Sequence, residues 1–178
     1  MNSSRVSWPT SKALSGARLD LEPLCIEHAD EMAPLLNDVA LHVYIAGRPS
    51  TRQELAARYR RQVRGRSPDG SQCWLNWVMR RRADARAIGT MQATLTCEPP
   101  GVIAEVAWVV AVPFQRQGYA GEGGLVVLAW LRHQGVAVVR ANVHPDHDAS
   151  RRVARALGLR PTDIEVDGET RWQADERR

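Results

Sequence analysis

A continuous apolar run at residues 106–112 is followed by Pro113 and then by the loop Gln-Arg-Gln-Gly-Tyr-Ala-Gly at residues 115–121. The run is rich in β-branched side chains, which predicts a buried strand, and Pro113 ends it because proline has no backbone N–H. After the loop, apolar residues recur at helical spacing over residues 122–133. The sequence therefore predicts a strand, a tight glycine loop and a helix in direct succession.

Such a loop is suited to binding an anion. The N–H groups in the first turn of a helix have no intrahelical partner, and the helix dipole adds positive potential there. Gly118 and Gly121 allow the backbone to approach a ligand closely. The loop lacks both the Gly-Lys-Ser/Thr ending of a nucleotide P-loop and the Gly-x-Gly-x-x-Gly pattern of dinucleotide-binding proteins. We therefore expect a phosphate or pyrophosphate carried by a different ligand.

Local signals elsewhere predict most of the remaining elements. Thr51 and Glu54 form a capping-box signature for a helix that runs to about residue 64. Asp167-Gly168 predicts a hairpin between the last two strands. The predicted order is strand, two helices, three strands, helix, strand, helix and two strands, which is typical of a sheet covered by helices. The inner face of the capped helix is predicted to carry Leu55, Tyr59 and Val63.

The pattern Gln-x-x-Gly-x-Ala after an apolar strand resembles the acyl-coenzyme A pyrophosphate loop of the GNAT superfamily of N-acetyltransferases. Downstream, an apolar strand at 136–143, a proline, a segment ending in Ser150 and a short helix ending in Gly158-Leu159 are similar to a second conserved stretch of that superfamily. Gly-Tyr-Ala-x-Glu at 118–122 is most similar to the Rim-type subgroup, which acetylates ribosomal-protein N-termini. The resemblance covers residues 18–172, and residues 105–159 carry its specific motifs.

The resemblance implies an α/β fold of the GNAT type, with a mixed, mostly antiparallel sheet of six to seven strands and helices on both faces. It also implies an acyl-CoA-dependent N-acyltransferase with acetyl-CoA as cosubstrate. The acetyl group would pass directly to a primary amine, either a peptide N-terminus or a small-molecule amine.

The resemblance further implies how the coenzyme binds. The pantetheine arm would pair with the strand that follows Glu105, and a backbone N–H near Val110 would face the thioester carbonyl. The loop backbone would hold the pyrophosphate, and the Arg116 side chain would add charge-assisted contacts. The expected coenzyme-binding residues are Val110, Ala111, Val112, Gln115, Arg116, Gln117, Gly118, Tyr119, Ala120, Gly121, His147 and Ser150.

Two residues are expected to be catalytic by the same resemblance. Glu105 would act as a general base or as an anchor for the acceptor amine, with an exposed strand glutamate as the alternative. Ser150 would protonate the departing thiolate, with a helix N-cap as the alternative. The chain departs from the family pattern at two positions: His147 replaces the usual asparagine, and Ala154 replaces a tyrosine that is the general acid in some relatives.

Acceptor-side candidates are Tyr44, Asn142 and Glu169, with Arg48 and Tyr59 added by position. No metal is expected, because the histidines and aspartate at residues 144–148 are not spaced to place three ligands on one face.

A chain of 178 residues fits one domain, which we expect at 17–174 after a flexible, serine-rich arm at 1–16. The arm has no apolar core of signal-peptide length, and no apolar run reaches the roughly 20 residues of a membrane helix. Three widely spaced cysteines argue against a disulfide framework and indicate buried, reduced thiols. These features predict a cytoplasmic protein without a membrane partner, and a homodimer stays open.

Two other functions also stay open from the sequence. A non-catalytic CoA-binding regulatory module would keep the pyrophosphate loop and lack working chemistry, which the departures at His147 and Ala154 allow. A nucleic-acid binder would account for the formal charge of +4 and the arginine-rich stretches at 58–66 and 80–82. The chain has no helix-turn-helix or RNP-like pattern. A basic rim around an anionic coenzyme is the simpler explanation, so nucleic acid is not expected as a partner.

Overall fold

Eight strands form one sheet in the computed structural model, which describes residues 7–44, 48–99 and 101–175. Their order across the sheet is β1-β2-β3-β4-β5-β6-β8-β7, and every neighbouring pair is antiparallel except β5 and β6. The predicted mixed, mostly antiparallel sheet is confirmed, with one strand more than predicted. The strands are β1 (Leu14–Ser15), β2 (Leu19–Pro23), β3 (Cys73–Arg81), β4 (Arg86–Glu98), β5 (Gly101–Val110), β6 (Val136–Val143), β7 (Arg160–Val166) and β8 (Glu169–Asp175).

Helices cover both faces of this sheet, as predicted. Adjacent residues of β3 point to opposite faces, so Trp77 belongs to the larger buried cluster under α3 and α4, and Val78 belongs to the smaller cluster under α1 and α2. The four α-helices are α1 (Ala29–Leu36), α2 (Arg52–Gln62), α3 (Tyr119–His133) and α4 (Asp148–Ala156).

The local signals correspond to local structure, with small differences at the ends. Thr51 caps α2 through a complete capping box: its hydroxyl accepts from the Glu54 N–H at 3.2 Å, and the Glu54 carboxylate accepts from the Thr51 N–H at 2.8 Å. Val63 is 41% exposed, so its predicted place on the inner face is wrong, because α2 ends at Gln62. The Asp167-Gly168 hairpin is confirmed, and both residues have the positive φ that such a turn requires.

The described part of the predicted arm lies along β3. Ser11 Oγ accepts a hydrogen bond from the Asn76 backbone at 3.1 Å, and the Lys12 carbonyl accepts one from Trp77 Nε1 at 2.7 Å. The next residues form β1, which pairs with β2. Residues 7–16 are therefore integrated into the fold, and this two-residue strand is the one that sequence patterning missed.

The three cysteines are free. Cys73 is buried as predicted, whereas Cys25 is half-buried and Cys97 is exposed near the end of β4, where the strand leaves the covered part of the sheet. The prediction of buried thiols therefore holds for Cys73 alone. No helix within the described ranges has the length and apolar character to span a membrane.

The parallel strands β5 and β6 separate partway along their length. Their registered pairs run from Val102 opposite Val136 to Glu105 opposite Arg140. Beyond that point β5 continues to Val110 and β6 to Val143, and cavities open between the two strands. The gap leaves one backbone edge of β5 available to a ligand.

Candidate active site

Two cavities meet at the gap between β5 and β6. We call the first the loop cavity, of about 350 Å³, because the loop before α3 lines it. We call the second the sheet cavity, of about 340 Å³, because it lies on the α2 side of the sheet. The residues that line both cavities are Tyr44, Trp108, Val109, His147 and Ser150.

The loop cavity is bordered by unpaired backbone donors. No backbone N–H from Arg116 to Gly121 donates to an acceptor in the described chain, and the first such bond in α3 runs from Glu122 to the Gly118 carbonyl. Arg116 and Gly118 have φ values of 61° and 82°, a left-handed conformation that turns successive N–H groups into a concave nest. The predicted anion cradle is therefore present as backbone geometry.

Arg18 fixes this loop from outside its own sequence neighbourhood. Its Nε donates to Glu122 Oε2 at 2.8 Å, its backbone N–H donates to Glu122 Oε1 at 2.7 Å, and its guanidinium donates to the Gln117 carbonyl at 3.1 Å. The same guanidinium lies over the Tyr119 ring, 4.7 Å from its centroid. The sequence analysis did not identify Arg18, because its partners are 99 and 104 residues away.

Arg116 and Arg152 are the only charged side chains among the described residues that line the loop cavity. Both are exposed, and neither forms an ion pair with a described carboxylate. The cavity therefore combines a backbone anion nest with two unneutralised cations. Arg152 was missed from sequence because an arginine on a short basic helix is usually a solvated residue.

The predicted coenzyme residues divide into two groups. Ala111 is fully buried and donates its N–H to the Ile88 carbonyl, so its backbone donor is already used. Val112, Gln117 and Gly121 also lie outside the cavity lining, although the N–H groups of Gln117 and Gly121 belong to the nest. The predicted residues that line the loop cavity are Val110, Gln115, Arg116, Gly118, Tyr119, Ala120, His147 and Ser150.

The edge of β5 that faces the gap has a defined polarity. Because Ala111 donates toward β4, and backbone groups alternate in direction along a strand, the groups of Trp108 and Val110 point away from β4. The Val110 carbonyl accepts from the Gln115 side chain at 3.0 Å. The N–H groups of Trp108 and Val110 thus face the gap, where the thioester is expected.

The sheet cavity contains two unsatisfied polar atoms. The Tyr59 hydroxyl and Asn142 Oδ1 are buried and have no hydrogen-bond partner among the described residues. Both residues line the cavity, Tyr59 from α2 and Asn142 from β6. A buried polar atom without a partner costs free energy, so these atoms are positioned to receive a ligand.

Glu169 is the one carboxylate within the described chain that lines the sheet cavity. Burial raises the pKa of the Glu169 carboxyl above its ordinary value, the negative charges of Glu105 and Asp167 add to that rise, and His144 opposes it. Glu105 is exposed and lies outside the lining of both cavities. Its predicted catalytic role stays a prediction, whereas Glu169 occupies the position that such a role requires.

Ser150 lies in the first turn of α4 and lines both cavities. Its hydroxyl makes no hydrogen bond to a described residue, and the N-cap position belongs to His147, so the alternative of a helix N-cap does not apply to Ser150. Ala154 is fully buried in the core on the other side of α4. Ser150 is therefore the hydroxyl that α4 presents where the cavities meet.

His147 stacks on Tyr44, with ring centroids 4.3 Å apart and an interplanar angle of 18°. Burial lowers the pKa of the His147 imidazole, and the neighbouring His144 lowers it further. The ring is therefore neutral at neutral pH, and it forms a wall between the cavities together with Tyr44. This stacking replaces the hydrogen-bonding tether that an asparagine would provide.

Two other predicted features lie elsewhere. Arg48 is exposed, forms an ion pair with Glu54 and lines neither cavity. Over the residues that the structure describes, no group of three or more histidine, cysteine, aspartate or glutamate side chains is arranged to hold a metal ion.

Solved structures with the same fold are acetyltransferases. An acetyltransferase of the GNAT family from Bacillus anthracis superimposes with a TM-score of 0.75 at 15% identity, over 94% of this chain and 100% of that one. RimL, a ribosomal L7/L12 alpha-N-protein acetyltransferase in complex with coenzyme A, gives 0.76 at 14% identity, over 92% and 98%. A ribosomal-protein-S5-alanine acetyltransferase from Vibrio fischeri gives 0.74 at 15% identity, over 94% and 98%. At these identities the likeness establishes the fold.

No curated protein sequence matches the chain significantly. A family model, by contrast, matches residues 18–160, which is most of the chain, and its description is "Acetyltransferase (GNAT) domain". The match includes the loop, both parallel strands and all four α-helices. The chain therefore belongs to the GNAT acetyltransferase family, as its sequence predicts, and is an acyl-CoA-dependent N-acyltransferase.

Proposed function

We propose that the protein transfers an acetyl group directly from acetyl-CoA to a primary amine, with the two substrates bound in the loop cavity and the sheet cavity. The observation that carries the proposal is the junction of these cavities at Ser150 and Trp108. One cavity has an anion nest, and the other has a carboxylate and two unsatisfied polar atoms. The acceptor is a peptide N-terminus or a small-molecule amine.

In this arrangement the pyrophosphate binds the N–H groups of residues 116–121, and Arg116 and Arg152 neutralise the remaining phosphate charge. The pantetheine arm lies along the free edge of β5 and brings the thioester to the gap. The RimL structure with coenzyme A supports this placement, because its fold matches over nearly the whole chain.

The reaction requires a neutral amine, a stabilised oxyanion and a proton for the leaving thiolate. The amine nitrogen attacks the thioester carbonyl, and the Val110 N–H faces the oxygen on which negative charge develops. The C–N bond forms, the C–S bond breaks, and the nitrogen loses one proton. Glu169 accepts that proton directly or through water, and Ser150 donates to the sulfur.

Replacing Glu169 with glutamine is expected to lower kcat/KM by about 100-fold, within the range that general acid–base catalysis contributes. Only the ionised carboxylate accepts a proton, so wild-type kcat/KM should fall as the pH drops through the raised pKa of Glu169. The variant should lose this acidic limb. A pH–rate profile of both proteins with saturating acetyl-CoA measures it.

Glu105→Gln is the matched control, because it makes the same chemical change at an exposed carboxylate outside both cavities. A small effect is expected there. If Glu105→Gln removes the acidic limb and Glu169→Gln keeps it, the base is Glu105 and our assignment is wrong.

Replacing Ser150 with alanine is expected to lower kcat about tenfold and to leave CoA affinity nearly unchanged, because a neutral hydrogen bond to the leaving sulfur strengthens mainly in the transition state. Single-turnover kinetics and calorimetric CoA binding separate the two quantities. Alanine at the exposed Asp148, one turn away from the cavity junction, is the control. Parallel losses of CoA affinity and kcat would contradict the assignment.

Incubation of labelled acetyl-CoA with a panel of amines and peptides tests the proposed function as a whole. Amide product with at least one acceptor supports it. Tight CoA binding without any product would favour a regulatory CoA-binding module, and the absence of CoA binding would refute both. The cytoplasmic location stays a prediction.

A further inference from the structure

The polar groups of the sheet cavity are sorted by type. On the β6 and β8 side of the gap the cavity presents hydrogen-bond acceptors, the Glu169 carboxylate and Asn142 Oδ1. On the α2, β3 and β4 side it presents donors. We call this second group the donor cluster, and it comprises Arg58, Tyr59, Gln62, Asn76 and Gln92.

The donor cluster is unneutralised and largely unpaired. Arg58 donates to the Ser50 hydroxyl at 2.6 Å and forms no ion pair with a described carboxylate, whereas Arg48 and Arg52 on the same part of the chain pair with Glu54 and Asp30. The side-chain amides of the cluster make no hydrogen bond to a described residue. Its positive charge and its donors are therefore available to a ligand.

Tyr59 gives the cluster its buried anchor. The residue is 3% exposed, and its hydroxyl lies in the cavity without a partner. Burial raises the pKa of Tyr59 to about 12, so the phenol keeps its proton and acts as a donor. A carboxylate or phosphate oxygen is the natural acceptor for a phenol beside a guanidinium.

A smaller cavity of about 180 Å³ continues the cluster away from the gap. It shares Arg58 with the sheet cavity and adds the exposed Arg61, which also forms no ion pair with a described carboxylate. The path from the reacting centre is therefore basic beyond the donor cluster as well.

The sheet register sets the distance between the two ends. Asn76 on β3 pairs with Gln92 on β4, and Gln92 pairs with Ala107 on β5. Strands lie about 4.8 Å apart, so the β3 side of the cluster is roughly 10 Å from the strand beside the thioester. An acceptor that spans the cavity would place its two functional groups about that far apart.

We propose that the acceptor is an amine that carries an anionic group, a carboxylate or phosphate, roughly 10 Å from the reacting nitrogen. The donor cluster binds the anion while Glu169 and Asn142 receive the amine. This inference rests on the proposed amine acetylation and specifies its substrate class. It applies equally to a small amino acid and to a peptide with an acidic side chain near its N-terminus.

Matched acceptors of equal length test the inference. We expect 7-aminoheptanoate and 6-aminohexyl phosphate to have a kcat/KM about tenfold or more above that of heptylamine or 1,7-diaminoheptane, mainly through KM, because a hydrogen bond to a charged group has roughly that effect. A pair of N-terminal tripeptide amides, one ending in aspartate and one in asparagine, tests the peptide source. An anionic preference in only one arm identifies the source, and none in either overturns the inference.

Arg58→Gln should abolish the anionic preference, and Arg58→Lys should restore part of it. Arg60→Gln is the control, because Arg60 is exposed on the same helix and lines none of these cavities. An equal loss of preference in Arg60→Gln would show a general charge effect and overturn the inference. Tyr59→Phe should weaken the anionic acceptor and leave heptylamine unchanged.

A failure of the proposed function can be told apart from a failure of this inference. If no amine reacts, calorimetric titration of the CoA-loaded protein with 7-aminoheptanoate and heptylamine compares their binding directly. Tighter binding of the anionic amine, lost in Arg58→Gln, supports the inference without turnover. Equal binding overturns it.

Discussion

Replacing Gly118 with aspartate is expected to weaken CoA binding about 100-fold or more, because the nest loses more than one charge-assisted hydrogen bond to phosphate. Gly118 stands between the N–H donors of residues 116–121 and the first turn of α3. A carboxylate there would accept from these donors itself and would repel the pyrophosphate. Calorimetry with CoA at constant ionic strength measures the loss.

The backbone at Gly118 has φ of 82°, so part of any effect could come from strain. Aspartate tolerates this conformation better than most residues, and the space near a new Cβ holds only Arg18 Nη2, at 3.5 Å. Gly135→Asp is the matched control, since Gly135 has φ of 78° and open space, and it follows α3 rather than preceding it. Similar losses of CoA affinity in both variants would refute the anion nest.

Replacing Gly89 with alanine is expected to lower the free energy of unfolding by about 3 kcal/mol, the upper part of the usual range for overpacking. An added Cβ would lie 2.1 Å from the Val109 carbonyl oxygen and 3.0 Å from the Val110 Cα. Both contacts are backbone atoms of β5, so the collision cannot be relieved by a side-chain rotation. The β4–β5 pair must separate, and β5 must shift at the edge that faces the thioester.

Urea unfolding followed by far-UV circular dichroism measures this change. Gly101→Ala is the control, because its added Cβ would make an ordinary 3.4 Å contact with the Ala137 Cβ at the other end of β5. That variant should change stability by less than about 1 kcal/mol. Equal stability of the two variants would show that β4 and β5 do not approach each other at Gly89 as closely as the structure places them. The Gly89 variant should also lose acetyl transfer under conditions in which it is still folded.

The strand–loop–helix succession could be predicted because its signals are local. An apolar run, Pro113 and Gly118 act within a few residues of one another, and the GNAT pattern adds the ligand that such a loop binds. The structure differs at the margins: α3 begins at Tyr119 rather than 122, and β5 ends at Val110 rather than 112. Element ends depend on hydrogen bonds to other parts of the chain, such as the bond from Ala111 to Ile88.

The acceptor side was predicted less well, for a topological reason. Glu105 has the expected position along β5, but its side chain lies outside the cavity, whereas Glu169 reaches it from β8. The two carboxylates are brought near one another by the antiparallel pairing of β8 with β6, which no local pattern encodes. Arg58 is similar: its basic stretch suggests a solvated face or nucleic acid, and only the contact of α2 with the sheet turns it toward the cavity.

The sequence by itself determined the family, the enzyme class, most of the strands and the loop that cradles an anion, because these depend on periodicity, on turn residues and on motifs confined to short stretches. Only the tertiary structure decided which side chains share a cavity. Arg18 holds a loop 99 residues away, and Tyr59 and Asn142 present unpaired polar atoms to one space from α2 and β6. Such pairings arise from strand order and helix docking, which are settled by burying the whole apolar surface at once rather than by any segment alone.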